Sequence, residues 1–147
     1  MTARHESFIQ RFRETFLAQD SDIDGFMELL DENIEWTMVA TGETFEGIES
    51  FRKFAESSKA ARTHTKEIQM EEKSLFTTSD YFVVEYLHNA IITANWTSSS
   101  SNKPAPGDIR HIPICIVGHF KGEKLDWAHE YFDLQTITTG ASAKLYS

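Results

Sequence analysis

The chain has 147 residues, of which 40% are hydrophobic and 12% aromatic, and its 14 Lys and Arg against 23 Asp and Glu give a net charge of −9. This length and apolar content suit one globular domain, residues 1–147, with a sizeable core. The negative charge would repel phosphate backbones and anionic lipids, so neither nucleic acid nor a membrane is an expected partner.

The compartment and the redox chemistry are constrained by two further features. The first twelve residues are too polar for a secretory signal, and no apolar run approaches the ~20 residues that cross a bilayer, so a cytoplasmic protein is expected. The single cysteine, Cys115, excludes an internal disulfide framework. Within an apolar strand it is interpreted as a small buried hydrophobe or a pocket-wall residue rather than a catalytic thiol.

Helical periodicity dominates the first part of the chain. Apolar residues recur every three or four positions over residues 6–18 and again over 23–30, which predicts two helices with N-cap oxygens available between them. An alternating run at 34–39 predicts a first strand, in which Trp36 shares a face with Ile34 and Met38. Residues 41–47 then read as a turn, and residues 48–60 as a third, shorter helix.

The second half of the chain is rich in strand-forming residues. Residues 63–77, 81–94, 109–120 and 125–137 predict four long strands, and the Gly-containing stretch 121–124 predicts the turn of a hairpin. Residues 95–108 form a Ser-, Pro- and Gly-rich loop that is expected to be either a lid over a pocket or a plain hairpin tip. The tail 138–147 is expected to be frayed.

Side chains alternate along the last two strands and so fall into two sets. On the strand 109–120, His111, Cys115 and His119 lie on one side. On the strand 125–137, Glu130 shares a side with Ala128 and Phe132, and the opposite side holds the remaining candidates: Trp127, His129, Tyr131 and Asp133. A one-residue bulge would exchange the two sets, so the sequence leaves open which carboxylate faces the interior.

This order of elements predicts an α+β fold with helices on one side of a curved, mostly antiparallel sheet. Several short stretches in this order resemble the SnoaL-like branch of the NTF2-like superfamily. They are the helix pair of residues 8–30, Glu35-Trp36 at a strand, the turn and helix start at 42–51, and the hairpin segments 122–125 and 129–133.

The resemblance implies a cone in which the sheet wraps the N-terminal helices around an apolar pocket. It also implies a homodimer formed through the outer face of the sheet. Relatives of this kind include polyketide cyclases, steroid isomerases, dehydratases, epoxide hydrolases and non-catalytic binders, so the fold alone leaves the function open. In the cyclases an acidic residue of the final strand is the acid/base, and Asp133 is the position that best matches it.

The residues themselves favour acid/base chemistry. A carboxyl group in an apolar pocket is suited to exchange protons near neutral pH, and a nearby imidazole could stabilise an oxyanion. The carboxyl candidates are Asp133 and Glu130, with His88 and His129 as catalytic partners. The predicted substrate-binding residues are Trp36, Tyr86, His111, Cys115, His119, Trp127 and Tyr131.

Each candidate also has a purely structural interpretation. Asp133 could cap a turn, Glu130 could pair with Arg110, and His88 could be a core histidine. No metal and no cofactor are expected, because His111 and His119 lie about 26 Å apart on one strand and no metal-binding or phosphate-binding motif is found. The sequence therefore supports two functions. One is a cofactor-independent isomerase, cyclase or lyase for a small hydrophobic, polyketide- or terpenoid-like metabolite. The other is a domain that binds such a ligand or dimerises.

Overall fold

A computed structural model of the chain describes residues 5–18, 21–61, 65–92 and 109–133. The predicted loop 95–108 and tail 138–147 lie outside these residues. The elements in chain order are α1 (Glu6–Thr15), α2 (Ile23–Met27), β1 (Leu30–Met38), β2 (Glu43–Glu46), α3 (Ile48–Ala61), β3 (Thr65–Thr77), β4 (Tyr81–Ile92), β5 (Ile109–Lys121) and β6 (Lys124–Phe132).

The six strands form one curved, unclosed sheet in the order β2-β1-β6-β5-β4-β3. Every neighbouring pair is antiparallel except β1 and β6, which run parallel. The α+β class and the mostly antiparallel sheet predicted from the sequence are therefore confirmed. Both edges are poor templates for further pairing, because β2 has four residues and β3 carries charged side chains and two register shifts.

The core lies between the helices and the inner face of the sheet. Phe8 and Phe12 of α1 pack against Phe82 of β4, with ring centroids 5.1 and 4.8 Å apart. Phe26 of α2 contacts the ring of Trp36 on β1 at 5.9 Å. These aromatic contacts fix α1 and α2 on the concave side of the sheet, which explains the apolar periodicity of the first thirty residues.

Three element boundaries differ from the sequence prediction. Residues 43–46, interpreted as part of a turn, form β2, which pairs with β1. The second helix ends at Met27 because the chain next to it joins the sheet, with Leu125 N–H donating to the Leu29 carbonyl and Leu30 opposite Leu125. β1 therefore starts at Leu30 rather than Ile34. Its polar residues 31–33 hide this start from a pattern of hydrophobicity.

The β5–β6 hairpin closes where the sequence predicted it. Lys121 pairs with Lys124, and Gly122 in the two-residue turn has φ 67°, a conformation that favours glycine in such turns. The register then shifts by one residue between His119 and Phe120, so that β6 contains one extra residue, Asp126. The Asp126 carboxylate accepts a hydrogen bond from His119 Nδ1 at 2.7 Å, which holds the bulge in place.

The longest helix in the described ranges is α3, with 14 residues. Within those ranges no helix combines the length and the apolar character needed to span a bilayer.

A glycine beside the bulge generates a stability prediction. A Cβ on Gly118 would lie 2.9 Å from both terminal methyl groups of Leu125, which is buried and cannot swing aside. We expect Gly118→Ala to lower the free energy of unfolding by about 1–3 kcal/mol through this overlap. Leu125→Ala should cost about 2–5 kcal/mol by leaving a cavity, which the added methyl would partly fill.

Urea denaturation of both single variants and the double variant checks this prediction. The double variant should be clearly more stable than the sum of the two single losses implies. Additive losses would show that Gly118 and Leu125 do not compete for space.

Candidate active site

A cavity of about 390 Å³ lies between the helices and the inner face of the sheet. This volume is within the range of small-molecule sites, about 300–1,000 Å³. Its wall is mostly apolar and aromatic. The apolar lining residues are Phe16, Ile23, Phe26, Trp36, Met38, Phe51, Phe54, Ala55, Met70, Ile112, Ile114 and Phe132. Trp36 and Tyr86, predicted from the sequence as substrate-binding residues, both lie in this wall.

Glu130 is the carboxylate that β6 presents to the cavity. Its Oε1 accepts a hydrogen bond of 2.9 Å from the indole Nε1 of Trp36, and its side chain is half-buried. The side chain faces inward because of the strand alternation that also buries Ala128 and places Phe132 in the cavity wall. An acidic group is thereby fixed at the surface of an apolar cavity, where it can exchange a proton with a bound molecule.

His88 lines the same cavity from β4, and its Nε2 is buried. It pairs with Ile112 of β5, whereas Glu130 pairs with Ile116, two strands across and four residues further along β5 from His88. On a flat sheet this offset separates the two Cα atoms by on the order of 16 Å. This spacing places the backbone positions of the imidazole and the carboxylate at different parts of the cavity.

The connection between α1 and α2 adds polar groups to the wall. Asp22 caps α2 by accepting a hydrogen bond of 3.0 Å from the N–H of Gly25, and it lines the cavity together with Ser21. Ser58 of α3 is also in the lining, and one residue further on, Lys59 donates to the Ser21 carbonyl at 2.9 Å. These polar contacts join α3 to the α1–α2 connection beside the cavity.

The other predicted substrate-binding residues lie on the outer face of the sheet and are not among the residues that line the cavity. Tyr81, His119, Trp127, His129 and Tyr131 form a continuous row of contacting rings, which we call the outer ladder. His119 and Trp127 stack almost parallel, at an angle of 3°. The reason for their outward position is the bulge at Asp126, after which Trp127, His129 and Tyr131 alternate away from the helices.

His111 and Cys115 occupy the same outer side of β5, and His111 Nδ1 is 2.6 Å from the Asn89 side-chain oxygen. Asp133 directly follows β6 and is exposed. Of the four residues predicted to be catalytic, Glu130 and His88 both line the cavity, whereas Asp133 and His129 do not. The alternative pairing of Glu130 with Arg110 involves a side chain outside the described part of the structure.

Solved structures share this architecture at low sequence identity. A protein of ketosteroid isomerase-like fold from Catenulispora acidiphila, in complex with trimethylamine, superposes with a TM-score of 0.67 and 12% identity over 97% of this chain and 98% of the other. A protein from Jannaschia described as a SnoaL-like polyketide cyclase gives 0.69 and 15% over 95% and 93%. An LEH-like epoxide hydrolase from Mycobacterium tuberculosis gives 0.62 and 12% over 95% and 88%.

The chain has the NTF2-like fold. This confirms the resemblance inferred from the short sequence stretches, although no protein-family model matches the sequence and no curated protein is detectably similar to it. At these identities the likeness establishes the architecture, and the chemistry has to be argued from the residues of the cavity.

Several cavity residues of this NTF2-like chain have no clear signal in the sequence. Residues 20–22 were predicted only to offer N-cap oxygens, and the packing of α2 on the sheet turns Asp22 towards the cavity. Ser58 follows Phe51 and Phe54 at helical spacing and so shares the apolar face of α3, but a single serine on that face does not mark a cavity. Within the described ranges, no three His, Cys, Asp or Glu side chains come together as a metal site.

Cys115 is half-buried on the outer face, opposite Tyr131 on one side and Glu85 on the other. Burial raises the pKa of the Cys115 thiol, and the negative charge of Glu85 raises it further. A thiol in this environment stays protonated at neutral pH and is a poor nucleophile.

We therefore expect iodoacetamide to alkylate Cys115 in the folded protein more slowly than in the urea-unfolded chain at about pH 8.5, because less thiolate is present. The pH at half-maximal rate should lie above that of the unfolded chain. Glu85→Gln should shift this pH downward by removing the neighbouring charge. Equal pH profiles for the folded and unfolded chains would contradict the expectation.

Proposed function

We propose that the protein is a cofactor-independent acid/base enzyme that acts on a small hydrophobic molecule and uses Glu130 as its proton-transferring group. The observation that carries this proposal is a carboxylate held by a buried indole N–H at the wall of an aromatic cavity. A ligand that fills the cavity would exclude water, and the carboxylate would then face the substrate in a medium of low dielectric constant.

The reaction that best suits this geometry begins with the transfer of a proton from an activated C–H of the substrate to the Glu130 carboxylate. The electron pair of the C–H bond moves towards the adjacent carbonyl and places negative charge on its oxygen. His88, elsewhere in the cavity, is the imidazole available to stabilise a developing charge. Return of the proton at another carbon completes an isomerisation. If the carbanion instead attacks a second carbonyl of the substrate, the new alkoxide takes the proton from Glu130 and the product is a ring. If a β-hydroxyl group leaves, the same proton departs with it as water and the reaction is a dehydration.

The neighbours in structure are compatible with this range of reactions. They include a protein described as a polyketide cyclase and an epoxide hydrolase, and the Catenulispora protein holds a small amine. We infer a small apolar substrate, such as a polyketide- or terpenoid-like metabolite, because the wall of the cavity is mostly apolar and aromatic. Its identity within that class is set by the shape of the aromatic wall.

Hydrogen–deuterium exchange tests the proposal without knowledge of the natural substrate. Small apolar ketones such as 2-tetralone and β-ionone are incubated with the protein in D2O, and the loss of the α-proton signals is followed by NMR. We expect catalysed exchange that falls ~10²–10⁴-fold in Glu130→Gln, because the amide cannot take up a proton. Asp133→Asn is the matched control and should keep the exchange rate.

Ligand binding separates a catalytic defect from loss of the site. Quenching of the tryptophan fluorescence by the same ketones should show that Glu130→Gln still binds them, and thermal melts should show that it is folded. If all variants bind but none differs from the uncatalysed exchange rate, the cavity is a binding site rather than an active site.

We also infer that two copies associate through the outer face of the sheet. Phe76, Tyr81 and Tyr131 on this face are 52%, 44% and 44% exposed, and the outer ladder extends the apolar surface across β4, β5 and β6. Contiguous apolar surface of this kind is rarely left open to water.

Light scattering is expected to give twice the 16.8 kDa of one chain at micromolar concentration. Tyr131→Asp should shift the mass to that of a monomer, since an unpaired charge would be buried in the interface. Ser57→Asp, which adds the same charge on the exposed side of α3, should leave the dimer intact. A monomeric wild-type chain would refute the association.

A further inference from the structure

The hydrogen bond between Trp36 and Glu130 bears on the protonation of this carboxyl group. Trp36 Nε1 lies 2.9 Å from Glu130 Oε1. An indole N–H can only donate, so Oε1 has to act as the acceptor whether the carboxyl group is ionised or protonated. The same donor therefore acts on both forms of Glu130.

Packing holds the indole in this position. Trp36 is 1% exposed, and its ring stacks on Phe51 with centroids 4.4 Å apart at an angle of 21°. Phe26 contacts it edge-on at 5.9 Å and 86°. Because the indole is enclosed by α2 and α3, its N–H cannot turn away from the carboxylate without displacing two helices.

The parallel pairing of β1 and β6 brings donor and acceptor together. Trp36 is opposite Ala128 and Met38 is opposite Glu130, so the indole must lean across β6 towards the next inward residue. Ala128 is fully buried and contributes only a methyl group at this point. A small residue beside Trp36 leaves room for the indole to reach Glu130.

The surroundings of Glu130 contain few other titratable groups. Among the described residues that line the cavity, those groups are Asp22, Tyr86 and His88, and Asp22 is engaged as the α2 cap. The lining residues of α3 are two phenylalanines, an alanine and a serine, and β1 adds Trp36 and Met38. The indole N–H is thus a polar neighbour whose position relative to Glu130 is defined by the 2.9 Å contact and by the packing of its ring on Phe51.

We infer that Trp36 is a positioning residue that favours the ionised form of Glu130 at rest, so that the carboxylate can accept the substrate proton. A carboxylate accepts a stronger hydrogen bond than a neutral acid does, so this donor favours the charged form. The inference rests on the proposed function. It adds that Glu130 enters the reaction as a base: a carboxylate lone pair forms the new O–H bond, the C–H electron pair stays on the substrate, and the carboxyl group later returns the proton.

The test is the titration of Glu130 in the ligand-free protein, followed by NMR of ¹³C-labelled glutamate carboxyl groups. Glu130→Gln assigns the signal by its disappearance. In Trp36→Phe the titration midpoint should rise by about one pH unit, because a hydrogen bond that favours the ionised form is lost. Trp127→Phe is the control, since it removes an indole N–H from the outer face of β6 but leaves the Trp36 donor and its packing in place, and its midpoint should remain near that of the wild type.

An unchanged midpoint in Trp36→Phe would overturn the inference, as would an equal rise in Trp127→Phe. If Trp36→Phe does not fold, the wild-type protein still provides a decision. The Trp36 indole N–H resonance should shift with pH at the same midpoint as the Glu130 carboxyl, and a resonance that does not follow this titration would refute the contact.

The outcome is separable from that of the proposed function. If exchange of ketone protons depends on Glu130, the pH below which the exchange rate falls should be higher in Trp36→Phe, and it should move together with the NMR midpoint. A normal exchange rate in Glu130→Gln would refute the catalytic role of Glu130, while the titration midpoints would still decide whether Trp36 controls its ionisation.

Discussion

The bulge at Asp126 is the constraint on which the cavity depends. Between the turn and the bulge, β5 and β6 pair in a register that would place His129 opposite Ile116 if it continued. The extra residue shifts the pairing by one, so that Glu130 takes that position and the aromatic side chains of β6 turn outward. Because side chains alternate with a period of two, this one residue decides which groups face a ligand and which form the outer ladder. The hydrogen bond from His119 to the Asp126 carboxylate stabilises the register from the outer side.

The sequence predicted most of the strands and both side-chain sets of the hairpin, because long alternating runs carry a strong local signal. It could not assign the sets to a face. Leu125 and Ala128 are both buried although they are three positions apart, a spacing that places side chains on opposite faces of a regular strand. Trp127 and Tyr131 are as apolar as core residues. Nothing in the local pattern marks Asp126 as the bulged residue. For the same reason Asp133, favoured by resemblance, and Glu130, kept as the alternative, could not be ranked from the sequence.

The features that were missed depend on pairing between distant parts of the chain. β2 is four residues long, and its strand conformation results from hydrogen bonds to β1 rather than from its composition. β1 begins among polar residues because Leu30 pairs with Leu125, ninety-five positions later. Asp22 reaches the cavity because Phe16 and Phe26 pack together, with ring centroids 4.9 Å apart, and draw the α1–α2 connection over the sheet. Local propensity is overridden in each case by tertiary contact.

Glu130 sits where stability alone would not place it. A carboxylate at the wall of an aromatic cavity loses hydration, and its hydrogen bond from Trp36 offsets part of that loss. An apolar residue there would extend the packing of Phe51 and Phe132 and avoid the loss altogether. The chain instead keeps an open volume of about 390 Å³ next to this group, which forgoes further packing. Proteins tolerate such local conflicts chiefly where binding or catalysis requires them. The proposed function accounts for both costs, since its substrate would fill the cavity and exchange a proton with the carboxylate.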